Sequence, residues 1–203
     1  MNDTDTADRL LHEARRLFAE HGYRGASIRA ITDAAGANLG AVTYHYGSKA
    51  ALHRAVLERV FGDLAGRVEE AARVPGSAVD RLHSLVRTLF SFFLEAPDTP
   101  RLILHQLVTG EGIPGPVLPF LRRNLGAIRT VVADGMAARE IRPLDPTLVA
   151  FTIISQVVWF AIVGREITRV LDEGGDHARL AAQIERHVTD VVTRFVTDGS
   201  TQP

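Results

Sequence analysis

The segment from Ser27 to Lys49 constrains the fold of this chain more than any other. Apolar residues recur at helical spacing after Ser27, whose hydroxyl can cap the start of a helix. Gly36 stands where that helix must stop and turn. Asn38 is then expected to cap a second, shorter helix. The segment therefore predicts a helix, a tight turn and a second helix.

The second helix of this segment presents two different faces. Val42 and Tyr46 are expected to point inward, because their spacing places them on one side of a helix. The remaining surface carries Leu39, Ala41, Thr43, Tyr44 and His45. Small and hydrogen-bonding side chains of this kind suit the edges of DNA bases in the major groove. The alternative interpretation is an ordinary helical hairpin inside a core.

The flanks of the segment extend the pattern. Residues 9–21 form an amphipathic helix that Gly22 is expected to close, so that three short helices can share one core. Ser48 is a suitable N-cap for a long helix beginning at Lys49. The free backbone N–H groups at the start of that helix suit a phosphate.

Taken together, residues Thr6 to Leu57 resemble the helical one-component transcription regulators of the TetR type. The resemblance rests on motifs that stand in the family's order and spacing: Leu-Phe-Ala-Glu-His-Gly-Tyr at 17–23, Ala-Ala-Gly at 34–36, Tyr-His-Tyr at 44–46 and Gly-Ser-Lys at 47–49. Within the family, the stretch from Asn38 to Lys49 is similar to the CecR-like branch. The resemblance implies an all-α fold and a DNA-binding function.

The resemblance also implies which residues contact DNA. Phosphate contacts are expected from Thr6, Ser27, Tyr44, His45 and Lys49. Base contacts are expected from the exposed part of the short helix, which adds Asn38, Leu39, Gly40, Ala41 and Thr43 to the candidates. Leu39 departs from the family pattern, which more often has a lysine there, and a thymine methyl is one contact that it could make. For His45 the alternative is a packing role in the core.

Composition bounds the class of protein. A chain of 203 residues that is 46% hydrophobic can bury a substantial core. It contains no cysteine, which excludes disulfides and thiolate catalysis. The first eight residues are acidic and polar, the reverse of a signal peptide, so a cytoplasmic location is expected.

A net charge of −1 at first argues against a nucleic-acid binder. The charge is unevenly distributed, however: residues 9–60 contain 8 Arg or Lys against 4 Asp or Glu, whereas residues 61–203 contain 15 against 17. Two copies of the N-terminal segment would present enough positive charge to contact phosphates, with an affinity that falls as salt is added.

The remainder of the chain is predicted to be helical, since no alternating stretch is long enough for a strand. The predicted fold is all-α, with about nine helices. Residues 1–48 are expected to form a three-helix helix-turn-helix DNA-binding domain, and residues 49–203 an all-helical effector-binding and dimerisation domain.

The two last helices are predicted to form a homodimer, at about 146–171 and 177–196. Residues 148–163 are apolar on almost every side. The final helix, which carries Leu180, Ile184, Val188, Val191 and Phe195 on one face, can cover them from one direction only. A second copy of the chain would cover the rest, as in the family resembled. A membrane span is the competing interpretation, but charge returns at Arg165 and Glu166, so no membrane partner is predicted.

A small-molecule effector is expected to bind among the helices after residue 49, because the resemblance implies ligand-controlled release of operator DNA. The candidate effector-binding residues are Phe61, Phe93, His105, Gln106, Met136 and Trp159, for each of which core packing or an interface is the alternative. Their character predicts a hydrophobic or aromatic effector. No metal site and no cofactor are predicted.

Two other classes of protein are alternatives to a regulator. An enzyme is disfavoured because the chain has no phosphate loop, nucleophile elbow or zinc-protease motif. A helical small-molecule-binding or interaction module without DNA specificity would be indicated by an acidic or disrupted turn helix, and the sequence has neither. A repressor that binds a near-palindromic operator as a dimer is the function predicted.

Overall fold

A computed structural model describes residues 3–108, 112–170 and 177–198, with the side chains of 105–107, 165–170 and 177–178 outside that description. Within these ranges the chain forms nine α-helices, one 3-10 turn at Gly115–Val117 and no strand. The helices are α1 (Asp3–Gly25), α2 (Ile28–Ala34), α3 (Ala41–Tyr46), α4 (Lys49–Ala71), α5 (Ala78–Glu95), α6 (Thr99–Val108), α7 (Leu118–Ala137), α8 (Pro146–Val170) and α9 (His177–Thr197). The predicted all-α fold is confirmed.

Four helices, α2, α4, α5 and α8, begin where a side chain accepts their first free N–H groups. Ser27 Oγ accepts from the Ala30 N–H at 3.0 Å, and Ser48 Oγ accepts from the Ala51 N–H at 3.1 Å. Asp145 caps α8 in the same way, with Oδ1 2.7 Å from the Thr147 nitrogen. The caps at Ser27 and Ser48 were predicted from the sequence and are confirmed.

The predicted cap at Asn38 is wrong. Helix α3 begins at Ala41, and the residue before it, Gly40, offers no side-chain cap. The Asn38 carbonyl instead accepts the Ala41 N–H at 3.0 Å, which closes a turn ahead of the helix. Residues 38–40 therefore belong to the connection between α2 and α3.

The chain divides into two compact units, and the division falls within α4. The first unit comprises Met1–Asp63 and Asp98–Pro119, in which α1 packs against α2, α3 and α6. Its core is formed by buried residues including Leu10, Ala14, Phe18, Ile31, Val42, Leu52 and Val56.

The second unit comprises Leu64–Pro97 and Phe120–Pro203, in which α5, α8 and α9 pack against one another. Its buried residues include Leu82, Leu85, Val86, Leu89, Ile128, Val132, Ile153, Val157 and Val188. On α9 the predicted inward position Val188 is buried, whereas Val191 and Phe195 are only partly buried and Val192 and Val196 are buried in their place. Beyond Val188 the buried face of α9 is thus rotated by about one residue from the prediction.

Candidate functional site

The DNA-binding candidates lie in the first unit, around α3. Gly36 and Gly47, which bracket the connection and the helix, adopt φ values of 61° and 80°, conformations that favour glycine. Val42 is fully buried, and the Tyr46 hydroxyl donates a 2.9 Å hydrogen bond to the Ala7 carbonyl of α1. These two inward contacts hold α3 in place while its opposite face stays open.

The open face carries most of the residues that the sequence singled out. Tyr44 is 75% exposed, and its ring meets the half-buried His45 ring edge-on, with centroids 4.8 Å apart. The other exposed candidates are Ser27, Asn38, Leu39, Gly40 and Thr43. The structure thus brings polar and apolar contact groups onto one surface at α3 and the turn before it.

Ala41 is a correction to the predicted surface. Its side chain is buried at the start of α3, next to the buried Val42. The reason is the late start of the helix: with α3 beginning at Ala41, positions 41 and 42 face the core together, and the exposed set begins at Thr43.

Two candidates lie at the margin of this surface. Lys49, at the start of α4, places its Nζ 4.6 Å from the centre of the Tyr23 ring, a cation–π contact. Partial burial lowers the pKa of Lys49 from its ordinary value. Thr6 on α1 is half-buried, and its hydroxyl accepts a 3.3 Å hydrogen bond from Arg9.

Two residues next to this surface were not predicted from the sequence. Arg29 on α2 has a side chain that is 85% exposed and only a 4.0 Å contact with Asp33, so its charge faces solvent. Tyr23 supplies the ring beneath Lys49. The four-residue spacing of Arg29 and Asp33 on a predicted helix was a signal that could have identified Arg29. No comparable signal in the sequence identifies Tyr23, since its contact joins α1 to α4.

A second candidate site is an apolar cavity of about 120 Å³ in the second unit, between α5, α8 and α9. It is lined by Phe90, Phe93, Leu94, Pro97, Phe160, Ala161, Gly164, Leu180, Ala181 and Ile184. Every lining residue is apolar.

Of the six effector candidates, Phe93 alone appears in this lining. Phe61 is buried in the first unit, and Met136 accepts a 3.3 Å contact from the Leu144 N–H through its sulfur. Trp159 is 61% exposed on α8, while its neighbour Phe160 lines the cavity. The side chains of His105 and Gln106 lie outside the described residues.

This arrangement, an all-helical chain with a helix-turn-helix near its N-terminus and a separate helical unit, defines a class of DNA-binding regulators. Residues 10–56 match the family described as bacterial regulatory proteins, tetR family. The HTH-type transcriptional repressor KstR2 of Rhodococcus jostii is 35% identical over 160 residues, which cover 75% of this chain and 76% of the relative. The chain belongs to the TetR family of transcription regulators, as the sequence analysis predicted, and it is not an enzyme.

A further relative and a solved structure are also similar to this chain, the latter in its fold. The HTH-type transcriptional activator FasR of Mycolicibacterium smegmatis is 28% identical over 153 residues, covering 74% of this chain and 70% of the relative. The transcriptional regulator FadR of Bacillus subtilis, solved in complex with stearoyl-CoA, superposes with a TM-score of 0.72 at 18% identity, covering 93% of this chain and 98% of that one.

Proposed function

We propose that this regulator is a cytoplasmic repressor that binds a near-palindromic operator as a homodimer and releases it when an apolar effector binds. Residues 1–48 are assigned to the DNA-binding domain and residues 49–203 to effector binding and dimerisation. The observation that carries the proposal is the open face of α3, with the exposed Tyr44 and Thr43 beside Lys49.

The contacts with DNA are assigned by side-chain chemistry. Tyr44, His45 and Lys49 offer hydroxyl, imidazole and ammonium donors to phosphate oxygens, which position the protein on the duplex. Thr43 and the turn residues Asn38, Leu39 and Gly40 face the base edges. Ser27 and Thr6 lie at the ends of the contact surface, and their hydroxyls suit phosphates.

Dimerisation is supported by an exposed stripe on α8. Leu148, Phe151 and Trp159 are 64%, 55% and 61% exposed and follow one another at helical spacing with the exposed Ser155. Residues 146–164 are long and apolar enough to cross a membrane, with a mean hydropathy of 2.0, but Val149, Ala150, Ile153 and Val157 on one side of this helix are buried in the protein's own core. A second copy of α8 and α9, rather than lipid, is assigned to cover the stripe.

The effector is assigned to the apolar cavity. Its volume of about 120 Å³ is close to that of an apolar cavity that holds benzene, roughly 150 Å³. A small aromatic ring or a short acyl chain therefore fits the space. Because FadR was solved with stearoyl-CoA, acyl-CoAs of graded chain length are a suitable first series to test.

Operator binding is tested by fluorescence anisotropy with the DNA that flanks the protein's own gene. Wild type is expected to bind one segment selectively, with an affinity that falls steeply with salt. Tyr44→Ala and Lys49→Gln are each expected to weaken binding about tenfold, and Lys49→Gln to reduce the salt slope by about one. The matched control is Arg87→Gln, which removes one exposed charge from α5.

Unchanged affinity in both variants would reject the assigned contacts, and equal binding to all sequences would reject an operator altogether. A reporter driven by the bound segment then decides the direction of regulation. Higher expression when the gene is deleted supports repression, and lower expression rejects it.

Effector binding is tested by thermal shift with the acyl-CoA series and small aromatic acids. Ala161→Phe fills the cavity and is expected to abolish the shift produced by a binding compound. Ala133→Phe, at an exposed position of α7, is the control and is expected to keep it. Retention of the shift in Ala161→Phe would place the effector elsewhere.

A further inference from the structure

A polar cleft of about 530 Å³ lies in the second unit, where α4 ends, the chain turns into α5, and α7 packs alongside. The cleft is lined by Glu69, Ala72, Arg73, Val74, Pro75, Gly76, Arg81, Arg123, Ala127, Thr130, Val131 and Asp134. We refer to it as the arginine cleft. Its lining differs in chemistry from the wholly apolar cavity at the other end of α5.

The arginine cleft holds three guanidinium groups and two carboxylates. Arg123 donates from Nε to Glu69 at 2.7 Å, and Arg81 donates from Nη1 to Asp134 at 3.3 Å. Arg73 adds a third cation. The hydrogen bond from Arg123 lowers the pKa of Glu69, and the charges of Arg123 and Arg73 lower it in the same direction. The lining thus carries one positive charge in excess of its own counter-ions.

The Arg81 side chain is incompletely paired. Its Nε is buried and has no hydrogen-bond acceptor among the described residues. Its Nη1 donates to Asp134, which is half exposed and accepts through a single long contact of 3.3 Å. A buried donor without an acceptor is unfavourable, since it has lost water and gained nothing in return. A small rotation of the guanidinium toward the cleft would let an anion accept from this group.

The start of α5 does not itself supply the donors. Ser77 Oγ accepts from the Asp80 N–H, and the Asp80 carboxylate accepts from the Ser77 N–H at 2.9 Å, so these two amides are already satisfied. The Ala78 N–H donates to the Glu140 carboxylate. Recognition of an anion here falls to the arginine side chains.

We propose that the arginine cleft binds the phosphate group of a small metabolite, held by Arg73 and Arg81. Guanidinium groups pair with phosphate oxygens through two parallel hydrogen bonds, which a single carboxylate at 3.3 Å does not provide. The volume lies within the roughly 300–1,000 Å³ of small-molecule sites, so the remainder of a metabolite can enter with the phosphate. Arg81 and Phe93 are about 18 Å apart along α5, which makes this a second ligand site.

Isothermal titration calorimetry of the full-length protein tests the site at constant ionic strength, with inorganic phosphate, pyrophosphate and ADP as probes. At least one probe is expected to bind saturably. Arg81→Gln and Arg73→Gln are each expected to raise its Kd about tenfold, the loss of a charge-assisted contact. The matched controls are Arg87→Gln on α5 and Arg122→Gln on α7, both exposed and outside the lining, which are expected to stay within about twofold.

Asp134→Asn provides a test of opposite sign. Because this carboxylate competes with the anion for Arg81, its neutralisation is expected to tighten the Kd at least threefold. A variant that merely destabilised the fold would not bind more tightly, and the exposed Arg73 gives a loss-of-binding variant that leaves the core untouched.

The three probes separate the sources of the phosphate group. Equal binding of inorganic phosphate and ADP would identify free phosphate as the ligand of the arginine cleft. Tighter binding of ADP or pyrophosphate would identify a phosphate-bearing metabolite. Either outcome supports the site. Absence of saturable binding by all three probes, or equal losses in the control variants, would overturn it. None of these readouts depends on operator DNA or on the apolar effector.

Discussion

His53 shows how a single residue near the candidate DNA surface is held neutral. Its ring meets Phe18 edge-on at 4.7 Å and lies 4.9 Å from Tyr23, whose ring also contacts the Lys49 amine. Burial, together with a smaller contribution from the nearby charge of Lys49, lowers the pKa of His53 to about 4. The packing beneath Lys49 therefore depends on an uncharged imidazole.

This predicts a pH dependence of stability. The unfolded chain takes up a proton on His53 below about pH 6.5, whereas the folded chain resists it until about pH 4. The stabilisation is therefore complete above pH 6.5 and lost as the pH falls toward 4. We expect a loss of roughly 1–2 kcal/mol, after allowance for solvent screening of the half-exposed ring.

Urea unfolding at pH 7.5 and 4.5 measures the effect as a difference between variants, because carboxylates also contribute to the total. His53→Phe keeps an aromatic ring and should lose less stability between the two pH values than wild type. His12→Gln removes a histidine that is 78% exposed and should behave as wild type does. Identical pH dependence in His53→Phe and wild type would contradict the prediction.

Residue roles set by local geometry were predictable, and those set by a turn were not. Ser27 and Ser48 cap their helices as predicted, because a cap needs only a side-chain oxygen three residues before the backbone N–H that it accepts. Asn38 has the right chemistry for a cap, but the helix begins three residues later. That late start also turns Ala41 inward, which no property of alanine could have indicated.

At the scale of elements, Gly135 sets how closely α7 approaches its neighbours. A Cβ at this position would lie 2.6 Å from both the Ala78 Cβ and the Ile141 Cδ1. Gly126 on the same helix has no atom within 4 Å of such a Cβ. The two glycines form a matched pair that differs in packing alone.

Gly135→Ala is expected to destabilise the protein by about 1–3 kcal/mol, because α7 must shift to accommodate the methyl group. Gly126→Ala should be neutral or stabilise by up to about 1 kcal/mol, since alanine favours the helix and meets open space. Chemical denaturation of both variants checks the difference. Equal effects would show that the approach at Gly135 is looser than the structure indicates.

A salt bridge joins α1 to the residue just before α6. Arg15 donates from Nε to Asp98 at 2.9 Å and from Nη2 to the other carboxylate oxygen, and it also contacts the buried Thr99 hydroxyl at 3.4 Å. This salt bridge lies within the first unit, where it ties the start of α6 to α1.

A double-mutant cycle with Arg15→Ala and Asp98→Ala measures this connection. The partly buried, two-point geometry is expected to give a coupling free energy of about 1–2 kcal/mol, more than an exposed ion pair. Arg16→Ala with Glu20→Ala, an exposed pair within α1, is the comparison and should give about 0.5 kcal/mol or less. Coupling no larger than that of the comparison pair would show that this salt bridge adds little to the contact between α1 and α6.

The bounds of the last two helices were more predictable than the faces that they bury. The predicted stripe on the last helix included Val191 and Phe195, whereas the structure buries Val192 and Val196. Neighbouring positions on a helix differ by about 100°, so two adjacent apolar residues satisfy the periodicity equally. Contacts with α5 and α8 select between them, and those contacts join residues far apart in the chain.

For the whole molecule, the exposed stripe on α8 is the feature that a single chain leaves unexplained. The sequence indicates that α8 must be covered on several sides. In the structure one side of α8 is buried, the side that carries Val149, Ala150, Ile153 and Val157. The opposite side exposes Leu148, Phe151 and Trp159. Exposure of such a contiguous apolar face to water is unfavourable by roughly 25 cal/mol per Å² of apolar surface, and its burial therefore favours association of two copies.

Charge placed in this stripe should therefore separate the two copies. Trp159→Asp combined with Leu148→Asp is expected to change the mass measured by light scattering from that of two chains to that of one, because burying two unpaired carboxylates is strongly unfavourable. Val108→Asp alters an apolar residue that is 77% exposed on α6, and it should leave the mass unchanged. The monomer should also bind a two-half-site operator about a hundredfold more weakly, since each half-site is then engaged alone. A double variant that stays dimeric and binds DNA as wild type does would assign the interface to another surface and leave the α8 stripe without its proposed partner.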